Sequence, residues 1–220
     1  MIQPIFFGLV MALALYFGQT FSANRTRYYV HLVSFSAGVS ITYLFLELLP
    51  NFALSVQNRF LFLSLLVGFI MIHLVEKYIY TRAPRRLRKK ELAIEDSVIS
   101  FIYHFAIGII IASFTFFSFT RAFLFFIPVL LYTTLDTLPV EASRHVWVKI
   151  ILSSSTLLGI IYRTYVHHMS LLTETIILGL VIGIIAFSVI RHSIPHGRHG
   201  RPLWFLAGAV FYTLVLILFG

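Results

Sequence analysis

The sequence contains no cysteine and little negative charge. The absence of Cys from the 220 residues excludes disulfides and thiolate metal sites. Only 8 residues are Asp or Glu, and all charged residues together make up 11% of the chain. Hydrophobic residues make up 59%, whereas soluble domains are usually about 45–50% apolar. These shortages exclude an ordinary soluble domain and indicate an integral membrane protein.

Eight apolar segments approach the length of about 20 residues that a helix needs to cross the hydrocarbon core. They are Pro4–Gly18, Tyr29–Leu49, Phe60–Tyr80, Ser97–Phe119, Phe123–Ser143, Val146–Tyr165, Leu171–Ile190 and Pro202–Phe219. We number them as spans 1 to 8. The predicted fold is therefore an all-α, polytopic membrane bundle with eight transmembrane helices, forming a single domain over residues 1–220.

The net charge of +9 would suit a nucleic-acid-binding protein, but the basic residues lie in short loops between the spans. Of the 17 Lys and Arg, 14 fall in one alternating set of loops and 3 in the other. Because cytoplasmic loops carry the excess of basic residues, we expect both termini to be external, in a multi-pass protein of the plasma (inner) membrane. We expect contacts with membrane lipids and none with nucleic acid. The basic cytoplasmic loop 81–96 is either a topology anchor at the lipid surface or a partner-binding or regulatory site.

The carboxylates that stand out within predicted spans are Glu47, Asp136 and Glu141, and His104 adds an imidazole. A carboxylate at membrane depth is unfavourable by about 3 kcal/mol, so it usually faces a cavity, a partner or a substrate path. These residue types indicate cation handling, since imidazole and oxygen ligands suit hard or borderline divalent cations.

The polar residues follow helical faces. Residues three and four apart share a face, and this spacing groups Ser36, Ser40, Tyr43 and Glu47 in span 2, Ser97, Ser100, His104 and Gly108 in span 4, and Tyr132 with Asp136 in span 5. Gly108 is expected to let a neighbouring backbone approach closely.

Depth suggests a route across the membrane. At 1.5 Å per residue, His104 and Asp136 both lie about 10 Å above the cytoplasmic boundary. Glu141 lies nearer the inner mouth and Glu47 near the outer end of its span. Pro139 is expected to kink span 5 beside Asp136.

Each of these groups also has a structural interpretation. Glu47 can be an interfacial residue hydrated beneath the headgroups, and Glu141 can pair with Arg144 or His145 at the inner surface. His104 can be a neutral core histidine that donates to a serine or a carbonyl. Asp136 can likewise have a purely structural role.

Several stretches resemble the ZIP (Zrt/Irt-like) family of divalent metal transporters. SFSAGVSITYLFLELLP resembles the second-span pattern of that family, with Glu47 at the place of its His, and LDTLPVEA resembles the fifth-span pattern, with Asp136 at the first ligand position. YHFAIG resembles the fourth-span motif, but the Glu and Pro of that motif are missing, and Thr156 stands at the acidic position of the sixth span.

The resemblance implies a ZIP-like fold, a metal site between spans 4 and 5, and one group of helices that slides against another. It implies transport of a divalent cation of the zinc, iron and manganese class, zinc above all, with no prosthetic group and with a possible homodimer. The candidate metal ligands are His104, Asp136, Glu141 and Glu47. Since several ligands of the family are lost here, we expect a reduced site.

Two other functions stay open. A non-transporting ZIP-like protein could act as a sensor or as a subunit of a larger complex, which the lost ligands favour. An intramembrane metal hydrolase could use His192, His196 and His199, but Pro195 and Gly197 disfavour a helix there. We therefore expect a protein that is not an enzyme.

Overall fold

The computed structural model describes residues 2–22, 27–56, 58–82, 88–135, 146–165, 169–190 and 201–220, and within them the chain is helical and forms no strand. The helices are α1 (Ile2–Ser22), α2 (Arg27–Tyr43), α3 (Leu49–Ser55), α4 (Phe62–Arg82), α5 (Arg88–Phe117), α6 (Phe119–Leu135), α7 (Val146–Ser153), α8 (Ser155–Tyr165), α9 (Leu171–Ser188) and α10 (Pro202–Phe219). A π-helical turn, Leu44–Leu48, joins α2 to α3, and a short 3₁₀ turn, Arg59–Leu61, precedes α4.

Each of the eight predicted segments is helical in its described part. Four helices are long and apolar enough to cross a membrane, namely Tyr28–Ser55, Ser97–Phe117, Leu171–Ser188 and Pro202–Phe219. Helices α7 and α8 meet the same criterion together, although they are bent by 44° at their junction. Gln3–Gly18, Arg59–Val75 and Phe119–Thr134 are shorter apolar helices. The all-helical architecture is thus confirmed for the described residues, with four helices that are long and apolar enough to cross a membrane, and the count of eight spans stays a prediction.

Two boundaries differ from the sequence prediction. Helix α5 begins at Arg88, so part of the predicted loop 81–96 is helical, which agrees with its content of Lys, Glu, Leu and Ala. Helix α6 begins at Phe119, four residues before the predicted start of span 5 at Phe123. Ser118 alone separates it from α5, and the N–H of Ser118 still donates to Phe114 O at 2.8 Å. The predicted end of span 5, Ser143, lies outside the described residues.

Glycine brings α5 and α8 into backbone contact. A Cβ added at Gly108 would collide with the carbonyl oxygen of Thr156, and one added at Gly159 would collide with that of Phe105. The expected close approach at Gly108 is therefore confirmed. Such contacts allow weak Cα–H···O bonds between helices, which partly replace the hydrophobic driving force that lipid removes.

The same reciprocal geometry recurs in two more helix pairs, α2 with α10 and α4 with α9. In every case a glycine opposes the carbonyl of the residue three positions before the partner glycine. The contacts are Gly38 with Phe205 and Gly208 with Phe35 in the first pair, and Gly68 with Leu180 and Gly183 with Leu65 in the second. Three helix pairs are therefore packed at the shortest distance that backbones permit.

The pairs assemble into two groups around a buried core. Helices α1, α6 and α7 pack on the α5–α8 pair and form one group with it, while α3 and the π turn connect the α2–α10 pair to the α4–α9 pair. The two sides meet where α2 contacts α6 and where α5 contacts α4 and α9. Fully buried Ile107, Ile111 and Phe125 lie in the core that α5 and α6 contribute.

One end of the bundle serves as a reference. Helices α5 and α8 end there and α9 begins there, as shown by the ion pair between Arg163 of α8 and Glu174 of α9. We call it the upper end, and His104 lies about 20 Å below the last residue of α5.

Replacing a contact glycine should loosen its helix pair. We expect Gly208→Val to destabilise the purified protein by about 3 kcal/mol or more, because the new side chain meets the backbone of Phe35 and neither helix can yield. Ala207→Val is the matched control, since Ala207 is exposed on the same helix. Thermal unfolding in detergent measures the effect, and equal melting temperatures for the two variants would contradict the packing argument.

Candidate functional site

His104 lies at the contact between α5 and α6. Its side chain is buried, and its Nδ1 is 2.7 Å from the carbonyl oxygen of Ser100, one turn earlier on the same helix. Its Nε2 is 3.2 Å from Oγ1 of Thr133 on α6. Because a carbonyl can only accept, Nδ1 carries the proton, and in the neutral imidazole Nε2 accepts from the Thr133 hydroxyl. The one nitrogen with a lone pair therefore faces α6.

This geometry bears on both interpretations of His104. The hydrogen bond to Ser100 O is the one that a core histidine would make, and it confirms that Ser100 and His104 share a helical face. Thr133, which is 2% exposed, is the residue that reaches Nε2, and the sequence analysis did not single it out. Its only sequence signal was its position three residues before Asp136.

The other predicted ligands of the inner half are not placed. Asp136 and Glu141 both lie in 136–145, outside the described residues, as does the predicted kink at Pro139. Within the described part of the chain, no three His, Asp or Glu side chains come together in a group that could hold a metal ion. The shared site of His104, Asp136 and Glu141 stays a prediction.

Glu47 lies in the π-helical turn and is only partly buried. Its carboxylate accepts from Asn51 Nδ2 at 2.7 Å, a partner one turn further along the same span. The predicted common face of span 2 holds for Ser36, Ser40 and Tyr43, which are all buried. For Glu47 it stays a prediction, because Glu47 is only partly buried and lies in the π turn.

The π turn has a visible local cause. The N–H of Leu49 donates to Leu44 O, five residues back, instead of to Phe45 O. Pro50 has no N–H and leaves the carbonyl of Leu46 without its helical donor, so the regular pattern is already broken at this point. Leu44 and Leu48 occupy the buried positions of the turn.

A proline inside α6 ties three helices together. Pro128 cannot donate to the carbonyl of Leu124, four residues earlier, and the buried Tyr212 of α10 donates its hydroxyl to that carbonyl instead. Ser40 of α2 donates its hydroxyl to the carbonyl of Pro128 at 3.4 Å. The sequence analysis missed Pro128, although a proline in the middle of a predicted span was a usable signal.

A small cavity lies beside these contacts, between α2, the π turn, α5, α6 and Ile185 of α9. The side chains around it are mainly apolar, and it has room for about one water molecule. Three tyrosines border it, Tyr43, Tyr103 and Tyr132, and the rings of the last two meet edge to face at 6.4 Å. Tyr43 stands one turn before Glu47 and Tyr103 adjoins His104, so the cavity lies between the two described candidate ligands.

The bend between α7 and α8 results from three consecutive serines. Ser153, Ser154 and Ser155 each donate a hydroxyl to a carbonyl of the preceding turn, at 2.7 Å, 3.0 Å and 2.8 Å. Such back-bonding bends helices. The next residue, Thr156, is fully buried, and its hydroxyl has no hydrogen-bond partner among the described residues.

The fold and these residues define a class, an all-helical membrane protein with a polar contact, centred on His104, deep between two apolar helices. Comparison with known proteins gives no more particular identity, because no protein-family model and no curated protein matches the chain. The resemblance to ZIP transporters therefore stays a prediction from its sequence motifs.

The role assigned to Tyr212 can be tested with a double-mutant cycle. Tyr212→Phe should destabilise the protein by roughly 1–3 kcal/mol, because the carbonyl of Leu124 loses its donor in a buried place. In a Pro128→Ala background the residue at 128 regains an N–H for that carbonyl, so the same change should have a much smaller effect. The measurement is thermal unfolding, with Tyr165→Phe at an exposed site as the control. Equal losses in both backgrounds would contradict the exchange of donors.

Proposed function

We propose that this protein is a ZIP-like transporter of divalent metal cations, zinc above all, with its substrate site between α5 and the segment that follows α6. One observation carries the proposal. Nε2 of His104 faces α6 at Thr133, and Asp136 follows Thr133 by three residues, the spacing of neighbours on one helical face. An imidazole nitrogen and a carboxylate oxygen are ligands that borderline divalent cations accept.

We further propose eight membrane spans. The four long apolar helices, the bent α7–α8 pair counted as one span, and the three shorter apolar helices match the eight sequence segments in order. The bias of 14 basic residues against 3 then makes the upper end external. The proposed route leads from Glu47 near the upper end, past the three tyrosines, to His104 with Asp136, and leaves by Glu141.

The small number of carboxylates limits how tightly such a site holds its substrate. A divalent cation loses much hydration energy when it is buried, and negative ligands offset that loss. With Asp136 as the deepest carboxylate, the site should bind weakly and should leave water on the cation. Weak binding suits a transporter, because the substrate must also leave.

The proposal predicts different effects for two carboxylates. Asp136→Asn should abolish metal uptake, because no second carboxylate is proposed at that depth and water screens the charge poorly there. Glu47→Gln should only slow uptake, since water can replace a carboxylate near the surface. Initial uptake rates of Zn²⁺ into liposomes, taken across several concentrations with matched protein content, measure both effects. An Asp136→Asn variant that transports like the parent would make Asp136 structural and remove the proposed site.

The topology can be tested by cysteine labelling, because the chain has no cysteine of its own. Arg86→Cys and Gly220→Cys should react with a membrane-impermeant maleimide from opposite sides of the membrane, with Gly220→Cys labelled from outside. Labelling before and after permeabilisation of intact cells gives the answer. Labelling of both variants from outside would contradict the eight-span topology.

A non-transporting relative is the second candidate, and one observation favours it. Both ring nitrogens of His104 already have hydrogen-bond partners in the protein, so the imidazole can serve as a structural link between α5 and α6. Such a protein would act as a sensor or as a subunit of a larger complex. A co-purifying partner together with no Zn²⁺ flux in liposomes would support it against the transporter.

A further inference from the structure

A buried ion pair joins three helices near the upper end. The Arg163 guanidinium on α8 pairs with Oε1 of Glu174 on α9, and their side chains are only 11% and 14% exposed. Ser113 on α5 donates its hydroxyl to the same carboxylate oxygen at 3.3 Å and accepts from Arg163 Nε at 2.9 Å. The guanidinium also lies over the ring of Phe116, 5.3 Å from its centre.

Neither charged residue of this cluster stood out in the sequence. Arg163 counted only as one of the few basic residues of the minority loops, and Glu174, on the first turn of span 7, was not among the candidate ligands. The proposed substrate route uses neither residue. Their burial nevertheless makes each depend on the other, because removing one partner leaves the other charge buried and uncompensated.

The two sides of the cluster belong to different packing units. Ser113 and Arg163 lie on α5 and α8, which touch backbone to backbone at Gly108 and Gly159. Glu174 lies on α9, which touches α4 in the same way at Gly183. Helices in such contact have no side-chain layer between them that could deform, so each pair should move as one body. Any displacement between the two pairs must therefore act on the contacts of one carboxylate oxygen.

We propose that Glu174 is a latch that holds the upper end of the bundle closed. While Arg163 and Ser113 bind its carboxylate, the α5–α8 pair stays against the α4–α9 pair and covers the cavity bordered by the tyrosines. When the carboxylate is released, the two pairs separate at the upper end and the cavity becomes accessible from that side. The regulatory purpose of the latch rests on the proposed transport function, but the opening itself does not.

A cysteine reporter in the cavity measures the opening directly. Val129 is 4% exposed and lines the cavity, so Val129→Cys places a thiol of similar size there. Its reaction with a membrane-impermeant maleimide, added from the upper side of the protein in liposomes, should be slow. Adding Glu174→Gln should raise the labelling rate at least fivefold. Thr173→Val, an exposed neighbour on the first turn of α9, should leave the rate unchanged.

Ser113→Ala serves as the second variant, because it keeps both charges and removes only the hydroxyl that contacts each of them. It should raise the labelling rate by a smaller factor than Glu174→Gln, and it decides the question if Glu174→Gln does not yield folded protein. Both variants are checked by gel filtration and by their melting temperatures. If the folded variants label no faster than the Thr173→Val control, the latch is overturned and the ion pair has a purely structural role.

The outcome separates the latch from the transport proposal, since no metal is present during labelling. Faster labelling in Glu174→Gln, combined with no Zn²⁺ flux in the parent, would support the latch and contradict the transporter. Unchanged labelling in Glu174→Gln, combined with Zn²⁺ flux in the parent, would contradict the latch and support the transporter.

Discussion

Close backbone contact at six glycines organises the packing of this chain. Lipid offers the helices no hydrophobic reason to associate, so van der Waals contact and weak Cα–H···O bonds have to hold them together. The glycines bring α2 to α10, α4 to α9 and α5 to α8 at distances that no larger residue permits. All three contacts have the same reciprocal geometry, in which each glycine faces the carbonyl three residues before its partner. The rest of the bundle is assembled from these pairs.

Outside these pairs, helices are joined by apolar packing together with polar links. Each polar link depends on a single acceptor, as where Tyr212 reaches Leu124 O, Ser40 reaches Pro128 O, and Ser113 and Arg163 share one oxygen of Glu174. A hydroxyl link can break and form again without unpacking a core, whereas a backbone contact at glycine cannot stretch. The fold thus combines stiff units with separable joints, which is the arrangement that sliding of helix groups would require.

The sequence predicted the elements of this fold better than their contacts. Long apolar runs are a local signal, and all eight appear as helices. Local spacing likewise predicted that Ser100 and His104 share a face and that Gly108 allows a close approach. The partners Thr133, Tyr212 and Glu174 were not predicted, because each meets its group across a helix interface that no local pattern encodes. The π turn was missed for a related reason, since Pro50 suggests a break in the helix but not the extra residue of a π turn.

The shortage of carboxylates and the abundance of hydroxyl links have a common physical basis. A hydroxyl can donate to a backbone carbonyl and stay neutral, so it stabilises a helix junction in lipid without the desolvation that a charge would need. Carboxylates are then expected where a neutral hydroxyl cannot make the required interaction. Glu174 is held by Arg163 and Ser113, so its charge is already compensated within the protein. Asp136 is the carboxylate that the sequence puts deepest in a predicted span, and a carboxylate at such depth usually faces a cavity, a partner or a substrate path. Loss of Zn²⁺ uptake in Asp136→Asn would favour the substrate path over a structural partner.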